Sequence, residues 1–585
     1  MSPAPPVPRL QRFTIVAQDP AIKVRNRILT AQVEVPAETL GPGPWGHRVQ
    51  VIDYDASTDK LYQPYPYKIR ATGQVGDPFE NAGDDELLRS TRFHCQNAYA
   101  IVMRVLARFE SALGRRIGWS FEGHQIKVIP HAFADANAFY SKQDEALLFG
   151  YFPGAKGRTV LSCLSHDVVA HETTHALVDG LRPRFTHPSS PDQAAFHEGF
   201  ADVVALLSVF ALPKVAKALL DLNWQHEQGS SQTERVHQRF LTPKALRDSA
   251  LLGLAKEMGQ EMLQVRGQAL RRSVSLPASP RYYHREAGYL GPHKRGEILV
   301  ASVLKTFVDV WAERLVELKR NAEWTVNRDR VAEEGAAAAD CLLTMCIRAL
   351  DYCPPVHLEF GDFLSALLTA DREIRPDDRK YHFREQLRES FGRYGIRPAS
   401  RRKESEEGLW MPPQFRKKRA SLSVARAHLE PLQRDPDEVF RFLWENRAAL
   451  ELRDDLYTRV ESVRPCLRVG DDGFVLRETV AEYVQVVRLK ARELHSFMGL
   501  ERPRELPLDT EVLLHGGGVL IFDEFGQLKF HIHNRIDNRE RQSRRLQSLF
   551  DFGHFNRGAP FHQRFSEMHR ARARNAKPKA REQWI

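Results

Sequence analysis

The stretch DVVAHETTHALVDG, residues 167–180, sets two histidines four apart with a glutamate directly after the first. It falls in a helix predicted over about 162–181. Side chains four residues apart lie on one face of a helix, one turn from each other. His171 and His175 therefore point the same way, and two imidazoles so placed can share one Zn²⁺ at about 2.0–2.1 Å each. Glu172 lies one residue round, beside such an ion rather than on it, where a carboxylate suits the role of base toward water. The competing reading is a polar patch on an ordinary helix. The HExxH spacing alone does not separate the two, since about one chain in twenty of this composition carries it by chance.

The residues downstream carry more weight. A catalytic zinc takes three protein ligands and keeps one position open. HEGFAD follows at 197–202, in a second helix predicted over about 194–211, where Glu198 and Asp202 share a face. Glu198 can be the third ligand. Asp202 can accept the free N–H of a ligand histidine and so fix its tautomer.

DVVAHETTHA followed by ExxxD resembles the thermolysin-like gluzincin zinc metallopeptidases, and the resemblance covers residues ~90–395. Three further segments agree, in the family's order. DANAFYSKQDEALLFG (135–150) resembles the segment leading into the active-site edge strand, so that Asn137 and the carbonyl of Ala138 match positions that hold the substrate backbone. ALRRSVSLP (269–277) resembles a stretch whose arginine contacts the substrate carbonyl; one extra residue leaves Arg271 and Arg272 competing for that role. GPHKRGEILVASVL places His293 as a catalytic donor to the oxyanion. The resemblance implies an α+β peptidase with a β-rich N-terminal lobe, a helical C-terminal lobe and one Zn²⁺ on a central helix between them. It implies a zinc-dependent endopeptidase in which Glu172 takes the proton of activated water and passes it to the leaving amine. Phe133, Leu147 and Val168 are expected to border an apolar pocket for a substrate side chain.

The chain also departs from the family. His197 stands where an asparagine usually precedes the glutamate ligand, and an oxyanion-assisting tyrosine would fall near Phe185, leaving Tyr282, Tyr283 or Tyr289 as substitutes. Asp167 matches a calcium-ligand position, but VVALLSVFALPK after Asp202 lacks the acidic partners, so calcium is not expected at the family's paired site.

Around this region, residues 1–85 read as a β-rich N-terminal part, 86–395 as the catalytic region and 396–420 as a charged linker. Residues 421–585 read as a C-terminal α+β domain of unknown role with a basic tail. Long helices are expected over 85–118, 296–322, 330–352 and 359–373, and helix also over most of 214–268 and of 421–500; a hairpin is expected over 511–533. The HGGG at 515–518 resembles an esterase oxyanion loop, but without a GxSxG elbow it reads as a glycine-rich part of that hairpin. His531 and His533 share one strand face and read as plain strand histidines.

The chain has 585 residues and a net charge of +10, from 85 basic and 75 acidic side chains, which permits but does not demand attraction to nucleic acid. No leader or long apolar run is seen, and six scattered cysteines form no CxxC, so a reduced, cytoplasmic protein off the membrane is expected. The expected partners are a peptide or protein substrate and a protein partner at 421–585; nucleic acid is not expected. Two alternatives stand beside the enzyme: an inactive peptidase fold that binds through its cleft, and a nucleic-acid binder using the basic linker and tail.

Overall fold

Residues Thr91–Leu113 form a long helix because both ends are signalled locally. The Ser90 hydroxyl accepts from Phe93 N, and Gly114 closes the helix at φ 67°. Ser90 also splits the helix expected over 85–118, leaving a short helix Asp84–Arg89 before it. The structure is a computed structural model and describes residues 10–24, 26–68, 75–154, 158–187, 189–218, 235–246, 273, 275–319, 325–400, 407–413 and 429–555.

The described residues form a mixed α+β fold. Near the N-terminus, Leu10–Val16 pairs with Thr30–Pro36. A mixed sheet then orders Thr159–Leu161, Ala146–Pro153, Ile126–Phe133 and Val49–Val51, and the edge strand Ala138–Ser141 also pairs with Ala146–Pro153. The HETTH helix runs from His166 to Leu181. Next come Pro191–Phe210, Pro292–Lys319, Arg328–Ala349 and Phe360–Ile374, close to the expected helical segments, and then Phe383–Arg393, a helix not expected from the sequence. Most of the helix expected over 214–268 lies outside the described residues, as does the basic tail.

Two glycines set the crossing that matters most. A Cβ on Gly199 would lie 2.9 Å from the Gly296 carbonyl oxygen, and one on Gly296 would lie 3.1 Å from the Ala195 oxygen. Helices Pro191–Phe210 and Pro292–Lys319 thus meet backbone to backbone. That contact is one residue from Glu198 and three from His293, so it draws those two side chains together.

The C-terminal part corrects the sequence reading. Residues 421–500 are not mostly helical: Tyr457–Val469 and Val475–Lys490 are long strands. TVAEYVQVV is dense in β-branched residues, which fit a pleated surface better than a helix, and the interspersed charges hid that pattern. The hairpin expected at 511–533 is present as Glu511–Phe522 and Leu528–Asn534, completing a four-stranded antiparallel meander. HGGG lies within the third strand, where a Cβ on Gly517 would come within 2.5 Å of the Tyr483 carbonyl oxygen. Its glycines admit close backbone packing.

This sheet shares its core with the helices. Cys466, Val480, Val519, Ile521, Phe530 and Ile532 belong to the same buried cluster as the helical region. A buried ionic chain crosses the contact. Arg115 grips Asp351 with two hydrogen bonds of 2.6 and 2.7 Å, and Arg468 bridges Asp351 to Glu478. Glu478 also accepts from Tyr352 at 2.8 Å and from Lys529 at 2.7 Å. Arg182, next after the HETTH helix, donates to Glu482 at 2.8 Å and to the Cys353 carbonyl at 3.2 Å. In the segment expected as a linker, the Trp410 indole donates to the Tyr352 carbonyl at 3.0 Å.

All six cysteines are free and buried, and among the described residues no helix is long and apolar enough to cross a membrane.

Four buried histidines give the fold a pH dependence. Burial is the main force holding His94, His166, His357 and His515 below the ordinary imidazole range, His94 down to about 3. As pH falls through about 6.5 the unfolded chain takes protons that the folded chain refuses. The unfolded state then binds more protons, so stability falls as pH drops, by about 1.4 kcal/mol per pH unit for each such histidine. The thermal midpoint of chelator-treated protein is expected to be clearly lower at pH 5 than at pH 7; equal midpoints would contradict neutral burial.

Candidate metal centre

The first two candidate ligands come from the HETTH helix. His171 and His175 are 2 and 3% exposed, with ring centroids 4.3 Å apart. The next helix begins where Ser190 caps by accepting from Gln193 N at 3.1 Å, with Pro191 in its first turn. Two turns on, that helix presents Glu198, which is 4% exposed. Its carboxylate oxygens lie 3.9 Å from His171 Nε2 and 3.8 Å from His175 Nε2.

The ligand atoms of these three residues lie within 4.8 Å of one another, and no other His/Cys/Asp/Glu cluster among the described residues is close enough to hold a metal ion. A tetrahedral zinc with bonds of about 2.1 Å spaces its ligand atoms about 3.4 Å apart. The carboxylate-to-imidazole spacings of 3.9 and 3.8 Å need to contract by only about half an ångström, and two imidazoles with a carboxylate are a donor set zinc accepts. The residues fit the metal.

The outer nitrogens are directed away from the centre. His171 Nδ1 lies 2.7 Å from Asp202 Oδ1. A proton on Nδ1 leaves the Nε2 lone pair for a metal. His175 Nδ1 lies 2.7 Å from His197 Nδ1, with the two rings only 9° from parallel. One of these nitrogens donates and the other accepts. If His175 Nε2 is to ligate, His175 is the donor and His197 the acceptor. His197, noticed in the sequence only as a departure, stands where it can orient a ligand ring.

Glu172, next after His171 in the helix, is wholly buried. The backbone N–H of Tyr140, on the edge strand, donates to Glu172 Oε2 at 3.0 Å. This bond fixes where the carboxylate points, and the sequence carried no side-chain signal for it because the donor is main chain. The Tyr140 hydroxyl donates to Asp179 at 3.0 Å, and burial, ahead of Asp179, raises it above the ordinary phenol range. The edge strand is thereby tied to the HETTH helix at two points.

His293 Nδ1 lies 3.2 Å from Glu198 Oε2, and its side chain, 28% exposed, is the most open of the group. The turn that carries it is held by a buried knot. Arg295 pairs with Asp192, which also accepts from the Tyr283 hydroxyl at 2.6 Å and from Phe360 N at 2.9 Å. Sequence reading missed this knot; an acidic residue in the first turn of a helix was its only trace.

Other expected positions fall elsewhere. Asn137 Oδ1 accepts from Ala138 N at 2.9 Å, and Ala138 opens the edge strand, opposite Phe149. Arg271 and Arg272 lie outside the described residues. Phe185 packs against Phe196 in the core, and the Tyr283 hydroxyl is engaged with Asp192. Leu147 and Val168 are fully buried, while Phe133 stacks on Phe139 at 5.6 Å. Asp167 accepts from the Ser165 hydroxyl at 2.6 Å. His531 and His533 touch each other, and His531 Nε2 lies 2.7 Å from the Tyr483 hydroxyl.

No protein-family model matches this chain, and a search of curated proteins finds no match.

Proposed function

We propose that the protein is a zinc-dependent endopeptidase of the thermolysin-like gluzincin kind. The observation that carries this reading is the convergence of His171, His175 and Glu198, with Glu172 held beside them by an edge strand. The ordered segments of the sequence, from DANAFY through HETTH and HEGFAD to GPHKRGE, support the same reading.

Bound by these three residues, zinc supplies a Lewis acid for a peptide carbonyl and makes water acidic enough to ionise near neutral pH. Glu172 takes the water's proton and delivers it to the departing amine. Tyr140 N–H keeps the Glu172 carboxylate at that position in both stages. His293, at the open side of the group, donates to the oxygen that gains charge. The edge strand Ala138–Ser141 offers backbone groups along which an extended peptide can lie.

Chelator treatment is expected to remove peptide-cleaving activity, and one equivalent of zinc to restore it. Glu198→Ala is expected to lower zinc affinity by at least about 10–100-fold in competition with a chromogenic chelator. Cleavage of a peptide library that survives exhaustive zinc removal would rule the reading out.

His197 gives a finer test. His197→Leu removes the acceptor for His175 Nδ1–H and is expected to weaken zinc binding by about 10–100-fold. His197→Asn keeps an acceptor oxygen and is expected to recover most of that loss. Equal zinc affinities in the two variants would show that His197 only fills space.

A further inference from the structure

A cavity of about 260 Å³ lies between the helices of the metal centre and the last described helix, Arg539–Asp551. Phe185, Ala194 and Pro292 form one wall; Ser548, Leu549 and Phe552 form the other. The first wall belongs to the candidate site. Ala194 precedes Glu198 by four residues on the same helix face, a rise of about 6 Å. Pro292 directly precedes His293, and Phe185 lies in the turn after the HETTH helix.

The second wall is firmly held. Gln542 donates to the His515 carbonyl at 2.7 Å, and Arg545 donates to the Leu513 carbonyl at 2.8 Å. Arg541 reaches the His357 carbonyl at 3.2 Å. Leu549 is 3% exposed, whereas Phe552, at 47%, stands at the rim.

Among the described residues the lining contains no Asp, Glu, Lys or Arg, and its only ionisable side chains are His187 and His554, so no permanently charged group stands ready to pair with a charged side chain entering it. An apolar cavity of about 150 Å³ suffices to bind benzene. The larger volume here accommodates a phenyl, indole or branched aliphatic group.

We propose that this cavity is a subsite for a large apolar side chain of the peptide substrate, so that the C-terminal helix takes part in choosing the peptide. The proposal rests on the peptidase reading above. It gives the C-terminal part a task that its sequence does not announce.

The test uses the full-length, zinc-loaded protein and has two arms. In the first, a peptide library is cleaved and the products are read by mass spectrometry. Wild type is expected to enrich large apolar residues at one fixed position relative to the cut. Ser548→Trp, which fills the cavity, is expected to lower kcat/KM for those peptides about tenfold or more, leaving preferences at other positions unchanged. Phe552→Ala, which opens the rim, is expected to blunt the same preference. In the second arm, N-acetyl-phenylalaninamide binding to Glu172→Gln is followed by NMR, and adding Ser548→Trp is expected to abolish it. Unchanged cleavage profiles together with unchanged probe binding would overturn the proposal. So would self-association of the wild type that Ser548→Trp abolishes in sedimentation, which would give the cavity to a second copy. Absence of cleavage together with probe binding lost in Ser548→Trp would overturn the peptidase reading alone and uphold the cavity as an apolar side-chain site.

Discussion

Glu172→Gln is expected to lower peptide cleavage by about 10²–10⁴-fold while zinc binding stays at the wild-type level. The substitution keeps the shape of the side chain and an oxygen able to accept from Tyr140 N–H, so the edge strand keeps its anchor. What it removes is the capacity to take a proton. Glu172 is adjacent in sequence to His171 but is not one of the three clustered ligands, so metal content and activity should separate. Loss of zinc in Glu172→Gln would make the residue a ligand rather than a base. Full activity in a zinc-loaded Glu172→Gln protein would remove it from the chemistry. The inactive-cleft alternative makes the opposite claim, that wild type and Glu172→Gln bind peptides alike and neither cleaves them.

The second large effect is on folding. A chain ending at residue 420 is expected to give no soluble, cooperatively unfolding protein. Without the C-terminal sheet, Arg182 loses Glu482, Tyr352 loses Glu478, and Asp351 loses Arg468. All six of these residues are at most 3% exposed in the intact fold. Burial alone would raise the Asp351 carboxyl, but Arg115, ahead of Arg468 and Arg182, holds it well below the ordinary carboxylate range. Removing one partner of such a buried group typically costs about 3–5 kcal/mol, because a charge is left uncompensated. Asp351→Asn in the full chain is therefore expected to lower the unfolding free energy by about that amount in denaturant titration. Pairing it with Arg115→Met is expected to cost less than the sum of the two single changes. A stable, folded 1–420 fragment would contradict the ionic chain as a structural bond between the two parts.

How much of this was legible in the sequence depended on how far apart the interacting residues lie. The helix carrying His171 and His175 was readable because periodicity acts over four residues. Glu198 and Asp202 were found because they sit in a short, chemically unusual string. The partner of His175 was visible as an oddity at 197, yet its hydrogen bond depends on how two helices rotate against each other. The Tyr140 N–H contact could not be read from side chains at all. Strands Tyr457–Val469 and Val475–Lys490 read as helix in the sequence because frequent Arg and Glu interrupt the alternation that marks a half-buried strand. The Arg115–Asp351–Arg468–Glu478 chain spans more than 350 residues, and no local pattern encodes it. The Gly199–Gly296 crossing has the same character: each glycine is unremarkable alone, and their contact brings the helix of His293 against that of Glu198.

The most direct measurement is a crystal structure of the zinc-loaded protein with diffraction recorded on both sides of the zinc absorption edge. The expected result is one anomalous peak per chain, about 2.0–2.2 Å from His171 Nε2, His175 Nε2 and a Glu198 oxygen, with one further position facing the cleft. A peak elsewhere, or a Glu198 carboxylate turned away from both imidazoles in the loaded protein, would contradict it.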